Sequence, residues 1–303
     1  MERVASIDIG TNTILLLVAE VGDGRLRPLL EKETVVRLGE GLQKNGMLAE
    51  EAMERGVQTL IQYLGDCQTF GVRRIFAVGT SALREAKNSD HFLRKAEEKL
   101  KLSIEVISGE EEAQLSFLAV ARDLKESKKS ILVVDVGGGS TEFISGIGDR
   151  ITQWVSLPLG SVRFTEKFLP SDPVREEECK GMEKEVLKLL VKIPHPEEPF
   201  LMVAVGGTAT TLASVEQGLK EFIPENIHHF PLKKEALKNQ LLLYKSKTPE
   251  ERRKIPGLPP ARADVILAGG TILYLAMEEL KCPSVLISCH GVRYGVLYKK
   301  LNL

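Results

Sequence analysis

One motif occurs twice in this chain, with its aspartates 127 residues apart, and it constrains the fold more than any other stretch. Near the start, Val4-Ala5-Ser6-Ile7-Asp8-Ile9-Gly10-Thr11-Asn12-Thr13 runs into the apolar stretch Ile14 to Ala19. Later, Leu132-Val133-Val134-Asp135-Val136-Gly137-Gly138-Gly139-Ser140-Thr141 runs into Glu142-Phe143-Ile144. Each reads as a buried-type strand, an Asp, a glycine turn with small hydroxyl residues, and a second strand. Glycine lets backbone N–H groups close on an anion, and the hydroxyls add donors. Asp8 and Asp135 stand at strand ends, where a carboxylate can hold a divalent cation or its water shell. Asp and Gly are ordinary turn residues, so one such hairpin would say little. Two of them predict paired domains that clamp one phosphate chain from both sides of a cleft.

A length of 303 residues agrees with two domains, each with its own core. The polar stretch Lys125 to Ser130 is the expected boundary, giving domains 1–124 and 125–303, with a last helix over about 291–303 packing back on the first. A net charge of −1 excludes a generic nucleic-acid binder, and Trp154 among sparse aromatics offers no base-stacking platform. No apolar run reaches the roughly 18 residues of a membrane span, and Met1-Glu2-Arg3 leads straight into a strand, so no signal peptide is expected. Cys67, Cys179, Cys282 and Cys289 form no metal spacing; scattered thiols without an export signal predict the cytoplasm.

Strands are expected over Leu26 to Val36, Arg74 to Val78 and Ile104 to Ile107, and helices over Ala49 to Phe70, Ser81 to Ala86, Asp90 to Leu100 and Glu110 to Leu124. In the helix Ala49 to Phe70, the periodicity selects Ala52, Val57, Leu60, Ile61 and Leu64 as core. The second half repeats the plan with strands Ile131 to Asp135, Glu142 to Ser145, Ile151 to Pro158 and Phe200 to Val205, and helices Glu176 to Lys192 and Ala209 to Glu216. Asp264 to Glu279 is read as a helix with an apolar stripe of Ile266, Gly270, Leu273, Met277 and Leu280, started by Pro259 and Pro260. Thus Phe76-Ala77-Val78-Gly79-Thr80 answers Met202 to Thr208, and the repeat is of whole domains.

The paired hairpins resemble those of the actin, sugar-kinase and Hsp70 superfamily. Further segments narrow the likeness: Thr80 to Asn88, Val106-Ile107-Ser108-Gly109-Glu110-Glu111-Glu112-Ala113, Gly206 to Thr208, Arg262-Ala263-Asp264 and Gly291-Val292-Arg293-Tyr294-Gly295. Together they resemble the exopolyphosphatase and guanosine pentaphosphate phosphatase family, in motif order over essentially the whole chain. The resemblance implies two duplicated ribonuclease-H-like, actin-like α/β domains flanking a phosphate-binding cleft. It also implies magnesium-dependent hydrolysis of a terminal phosphoryl group from inorganic polyphosphate, from pppGpp, or from both. The chain looks like the short two-domain form, ending at Leu303 without the helical extension of longer members. Two positions depart from the family pattern: the turn is Thr11-Asn12-Thr13 instead of Ser-Asn-Ser, and Leu15 stands where an Arg is common.

Hydrolysis needs a carboxylate to orient water and take its proton. Glu110, Glu111 and Glu112 supply three candidates, though acids also stabilise the first turn of any helix. With Ser108 as N-cap, Glu111 is at N3 and can close a capping box, while Glu110 sits beside the dipole. Glu112 has no such local task, and the family places its catalytic base at the Glu before the Ala. Asp135 and Asp8 are the expected Mg2+ carboxylates, the alternative for each being an Asx turn. Phosphate contacts are expected from Thr11, Asn12, Thr13, Gly137, Gly138, Gly139, Ser140 and Thr141, and from Gly207 and Thr208, which open a helix. Arg84 reads equally as a phosphate contact or a solvated helix residue; family position favours phosphate contact for Arg262 and Arg293, with a structural ion pair as the alternative. His290 lies near no second ligand in sequence and is read as a packing or hydrogen-bonding residue. The segment Leu232 to Lys254, with eight Lys or Arg against three Glu, could steer a polyanion or could be a solvated face.

The leading expectation is therefore an exopolyphosphatase, with pppGpp phosphohydrolase as the closest rival. A superfamily kinase or chaperone and a catalytically weak ppGpp or pppGpp binder are the other classes. The expected partners are these phosphate compounds, without nucleic acid or membrane, and a homodimer is the oligomer to test for.

Overall fold

Strand β1 (Glu2–Ile9) is buried from Val4 onward, and both of its faces are covered. In the computed structural model, which describes residues 1–124 and 129–303, it is the centre of a five-stranded sheet ordered β3-β2-β1-β4-β5. The partners are β2 (Thr13–Gly22), β3 (Arg25–Val35), β4 (Arg74–Gly79) and β5 (Ile104–Val106). β1, β2 and β3 form an antiparallel meander, whereas β4 and β5 run parallel to β1. Ala5, Ile7, Ile9, Ile14, Leu16 and Val18 pack on Met53, Val57 and Leu60 of the helix Glu50–Thr69. On the other face, Val4, Leu17 and Ala19 meet Ala119, Tyr294 and Leu297. A sheet covered on both sides needs nearly continuous apolar strands, which explains why β1 and β2 show little alternation. Each such Leu or Ile contributes about 1.5–3 kcal/mol when fully buried. β3 is the edge, and its Pro28 lies where the register with β2 shifts, between Val18 and Ala19. A missing N–H is tolerated at such a bulge.

The chain divides into two compact units, Met1–Ala119 with Val292–Leu303, and Val120–Gly291. The helix Val292–Leu301 thus belongs with the first sheet. Its packing depends on Gly295, where an added Cβ would lie 2.0 Å from the Leu115 carbonyl oxygen. Ser6, in the middle of β1, donates to the Arg293 carbonyl at 2.6 Å. The expected break at 124/125 borders Lys125, Glu126, Ser127 and Lys128, which lie outside the described residues.

The second unit repeats the pattern with β6 (Ser130–Val136), β7 (Thr141–Ile147), β8 (Arg150–Leu157), β9 (Phe200–Val205), β10 (Pro231–Lys233) and β11 (Ser284–Ile287). Their order is β10-β11-β9-β6-β7-β8. β6, β7 and β8 are again an antiparallel meander, β9 and β11 run parallel, and β10 adds an antiparallel edge. Both units are therefore α/β domains of the ribonuclease-H-like kind, and the duplicated actin-like architecture expected from the motif is present.

Ile61, read as core, is 44% exposed, because the buried arc of its helix is centred on Met53, Val57, Leu60 and Tyr63. The Tyr63 hydroxyl donates to the Ile14 carbonyl at 3.0 Å, so a polar-tipped residue takes the place the pattern gave to Ile61. The helix Ile266–Glu279 exists, but every residue from Ile266 to Leu273 is buried, so it is a core helix with no polar face there. Its glycines allow close approach: a Cβ on Gly269 would lie 2.8 Å from Thr208 Cγ2, and one on Gly270 3.0 Å from a Leu241 methyl. Pro259 and Pro260 do not start it; Pro260–Arg262 is a separate 3-10 turn. The helices Ser161–Phe168 and Lys234–Lys245, with β10 and β11, had no counterpart in the sequence reading.

Candidate phosphate site

The two hairpins repeat at the level of register. Asp8 pairs with Leu15 across the hairpin and with Val78 on β4, and Asp135 pairs likewise with Glu142 and with Val205 on β9. The Gly10 N–H donates to the Thr13 carbonyl at 2.9 Å, and the Gly137 N–H to the Ser140 carbonyl at 3.0 Å. In the second unit the carbonyl of Gly137 accepts from the Ser161 N–H at 2.9 Å, and that of Gly138 from the Val162 and Arg163 N–H groups at 3.0 and 3.1 Å. The Gly139 carbonyl accepts from Arg163 Nε at 2.6 Å. These bonds satisfy the first amides of the helix Ser161–Phe168. In a trans peptide, each N–H opposes the preceding carbonyl. The amides of Gly138, Gly139 and Ser140 consequently point away from the segment that supports the turn, as an anion nest requires.

The first unit does the same with two amides. The Thr11 carbonyl accepts from the Gly39 N–H at 2.8 Å, and the Asn12 carbonyl from the Val36 and Arg37 N–H groups, both at 2.9 Å. The amides of Asn12 and Thr13 are thereby turned outward. Asn12 is 5% exposed, and neither polar atom of its side chain has a hydrogen-bond partner among the described residues. A buried amide without partners is costly in a folded protein, so its retention points to a ligand. Thr141 behaves differently from the reading of the sequence: its hydroxyl donates to the Leu159 carbonyl at 2.6 Å. That proton braces the loop and is not available to an anion.

The Glu triplet separates by position. The Ser108 N–H donates to Glu111 at 3.2 Å and the Glu111 N–H to Ser108 Oγ at 3.1 Å, a complete capping box. The bond from the Ser108 amide holds the Glu111 carboxyl below its ordinary range. Glu110 accepts from Gln114 at 3.3 Å on the exposed side. Glu112 alone is buried, at 8% exposure, and its Oε2 accepts from Arg84 Nη1 at 3.1 Å. Arg84 Nη1 also donates to the Ile107 carbonyl at 2.9 Å, so Arg84 is a positioned residue, not a solvated one.

In the second unit, β9 ends at Gly206 (φ 85°), which opens the helix Gly206–Gln217. A Cβ on Gly206 would lie 2.7 Å from Asp135 Oδ1, and one on Gly207 only 1.9 Å from Arg262 Nη2. Two glycines thus admit a carboxylate and a guanidinium beside one helix N-terminus. Arg262 and Thr208 are both buried. Asp8 in the first unit and Asp135 in the second each place a hard carboxylate oxygen beside a turn, the kind of donor of which Mg2+ takes one or two, otherwise keeping water or phosphate oxygens.

Other expected contacts fall elsewhere. Arg293 pairs with Glu31, which also accepts from the Tyr294 hydroxyl at 2.9 Å, so the ion-pair reading holds. The basic segment is paired in part: Lys234 meets Glu278 at 2.6 Å and Lys245 meets Glu183 at 2.8 Å outside it, while Lys238 and Arg253 pair with Glu235 and Glu250 within it. Arg252 is fully buried and donates to the Tyr244 carbonyl at 2.8 Å. The four cysteines are free and buried; burial pushes the Cys67 thiol up to about 11. His290 takes the polar alternative of its reading: it meets Asp123 and stacks on His228. Burial raises the Asp123 carboxyl, but the hydrogen bonds and charges of His228, His290 and His229 outweigh this and bring it down to about 2. Sequence spacing could not reveal the cluster, because its members are 105 and 62 residues apart.

Residues 17–303 match the Ppx/GppA phosphatase family. A crystal structure of the Ppx/GppA family member from Aquifex aeolicus is 36% identical, with a TM-score of 0.83 over 99% of this chain and 98% of its own. An exopolyphosphatase from Cytophaga hutchinsonii is 27% identical, with a TM-score of 0.90 over 99% and 98% of the two chains. A bifunctional 3-dehydroquinate synthase/phosphatase from Fusobacterium nucleatum is 37% identical over 298 residues, 94% of this chain; the chain spans 44% of that protein's length.

Proposed function

This chain belongs to the Ppx/GppA phosphatase family, and from that premise we propose that it is a magnesium-dependent exopolyphosphatase. Membership puts it among hydrolases; the substrate, inorganic polyphosphate cleaved at its terminal phosphoanhydride, is the proposal. The observation that supports it is the pair of turns whose carbonyls are held by their own unit, which turns the amides of Asn12, Thr13, Gly138, Gly139 and Ser140 to the opposite side. Amide nests bind phosphate oxygens by hydrogen bonds that need no formal positive charge.

Phosphoryl transfer depends on positioning and charge neutralisation more than on covalent chemistry. In this reading the nests, Asn12 and Arg262 bind the phosphate oxygens, with Gly207 and Thr208 at the helix N-terminus. Glu112 accepts a proton from water as its oxygen attacks the terminal phosphorus. The bond to the bridging oxygen breaks, orthophosphate leaves, and the shortened chain departs as an anion. Arg84 positions Glu112 through the 3.1 Å contact. Asp135 and Asp8, each beside its own turn, are the carboxylates proposed for a divalent cation, which would supply neutralisation of the phosphate charge.

Pairing of Lys234 with Glu278 and of Lys245 with Glu183 lowers the excess charge of the basic segment and supports keeping pppGpp as a second substrate, since long-range steering then favours polyphosphate less. No described helix is long and apolar enough to cross a membrane. The cytoplasm remains part of the proposal, as do the phosphate partners. Orthophosphate release from long polyphosphate, pppGpp and ATP, measured side by side with magnesium, decides the matter: preference for polyphosphate is expected, and release from neither of the first two sinks the reading. Asp135→Asn should raise the magnesium needed for half-maximal rate. An unchanged requirement would make Asp135 a turn residue only.

A further inference from the structure

Three of the chain's five histidines gather around one carboxylate. Asp123 ends the helix Gly109–Asp123, His228 and His229 follow the short helix Pro224–Ile227, and His290 precedes the helix Val292–Leu301. All four residues lie within the unit Val120–Gly291. His228 Nε2 is 3.3 Å from Asp123 Oδ1, and His290 Nδ1 is 3.7 Å from the same oxygen. Three donor atoms, one each from Asp123, His228 and His290, lie within 4.8 Å of one another. We propose that Asp123, His228 and His290 bind a divalent transition-metal ion of the zinc type, separate from the magnesium site read above.

The separations carry the argument. A tetrahedral ion with bonds of about 2.0–2.2 Å holds its ligand atoms about 3.3–3.6 Å apart, which brackets the shorter of these contacts and lies close to the longer. A separation of 3.7 Å is too long for a hydrogen bond yet suits two atoms sharing an ion. Stacking keeps the rings in step: His228 lies 4.4 Å from His290 and 3.9 Å from His229, centroid to centroid. His229 Nε2 reaches Asp123 Oδ2 at 2.7 Å. Ligating carboxylates are commonly held in this way by an outer hydrogen bond. The donor set of two imidazoles and one carboxylate suits zinc and its neighbours, whereas magnesium prefers oxygen alone. Three protein donors leave the fourth corner to water.

Binding rearranges one proton. The Cys289 N–H now donates to His228 Nδ1 at 3.2 Å, which puts the ring proton on Nε2. Metal at Nε2 moves that proton to Nδ1 and gives up the Cys289 bond. In return the ion ties Asp123, near the start of the unit, to His290, next to its last residue.

The test uses the full chain, without a histidine tag and stripped with chelator, titrated with zinc or cobalt alone. We expect one ion per chain, a rise in Tm on zinc addition, a four-coordinate cobalt absorption band, and no displacement by excess magnesium. His228→Gln and His290→Gln should each abolish these signals while melting cooperatively without metal. His229→Gln should weaken zinc about 10–100-fold, as outer-shell losses do. Absence of stoichiometric zinc or cobalt in the unaltered chain overturns the proposal even if the variants fail to fold. Equal binding by the His228→Gln, His290→Gln double variant also overturns it.

Discussion

The two hairpin turns share register and backbone pattern but are built from different material. The first, Thr11-Asn12-Thr13, turns two amides outward and adds a buried side-chain amide; the second, Gly138-Gly139-Ser140, turns out three amides. Their backing differs as well. Gly39, behind the first turn, would place a Cβ 2.4 Å from a Thr11 methyl, while Gly160, behind the second, would place one 2.2 Å from the Gly138 carbonyl oxygen. A methyl group can move aside more readily than a carbonyl that caps a helix. The first turn thus carries a buried side-chain amide, in the unit that also holds Glu112 and Arg84, whereas the second is bare backbone that its neighbours hold rigidly. The duplicated fold has kept the register of the turn in both copies while changing the residues that build it.

The largest effect should come from the first unit. Glu112→Gln keeps shape but cannot take a proton, and general-base assistance is worth about 100–10,000-fold. A loss under tenfold in turnover would remove Glu112 from the proposed role. Glu111→Gln is the matched control, because an amide can still accept from Ser108 and close the capping box.

Next comes Asn12→Ala. If the amide serves the ligand, KM should rise about 10–100-fold, the loss of a hydrogen bond to a charged group being worth about 1.5–3 kcal/mol. Tm should hold steady, since no partner in the protein is lost. A drop in Tm with unchanged kinetics would make Asn12 structural and erase the contrast between the units.

Gly160→Ala and Gly39→Ala compare the backing directly. Overpacking against the Gly138 carbonyl should cost about 1–3 kcal/mol, read as a lower denaturation midpoint. Gly39→Ala should cost clearly less. Equal costs would mean that both turns are held with the same stiffness.

The smallest effect belongs to the basic segment. Lys233→Glu with Lys247→Glu should change polyphosphate and pppGpp hydrolysis alike by less than about twofold, because the neighbouring cations are already paired and exposed charges are screened over about 8 Å at physiological salt. A selective, salt-sensitive loss on long polyphosphate would revive steering.

The amino-acid order alone determined the duplicated strand-turn-strand units, the capping box at Ser108 and Glu111, and the separation of Glu112 from its neighbours, because each is a local pattern of turn residues, caps and apolar runs. It located the helix Ile266–Glu279 but not its depth, since a stripe and a fully apolar helix look alike over four turns. Tertiary structure alone decided that Ile61 is exposed, that Arg293 is spent on Glu31, and that Lys234 and Lys245 are paired with Glu278 and Glu183. It alone brought Asp123, His228 and His290 together. These are contacts between residues tens to hundreds of positions apart, and side-chain partners at that range are set by how whole elements pack, which no local pattern encodes.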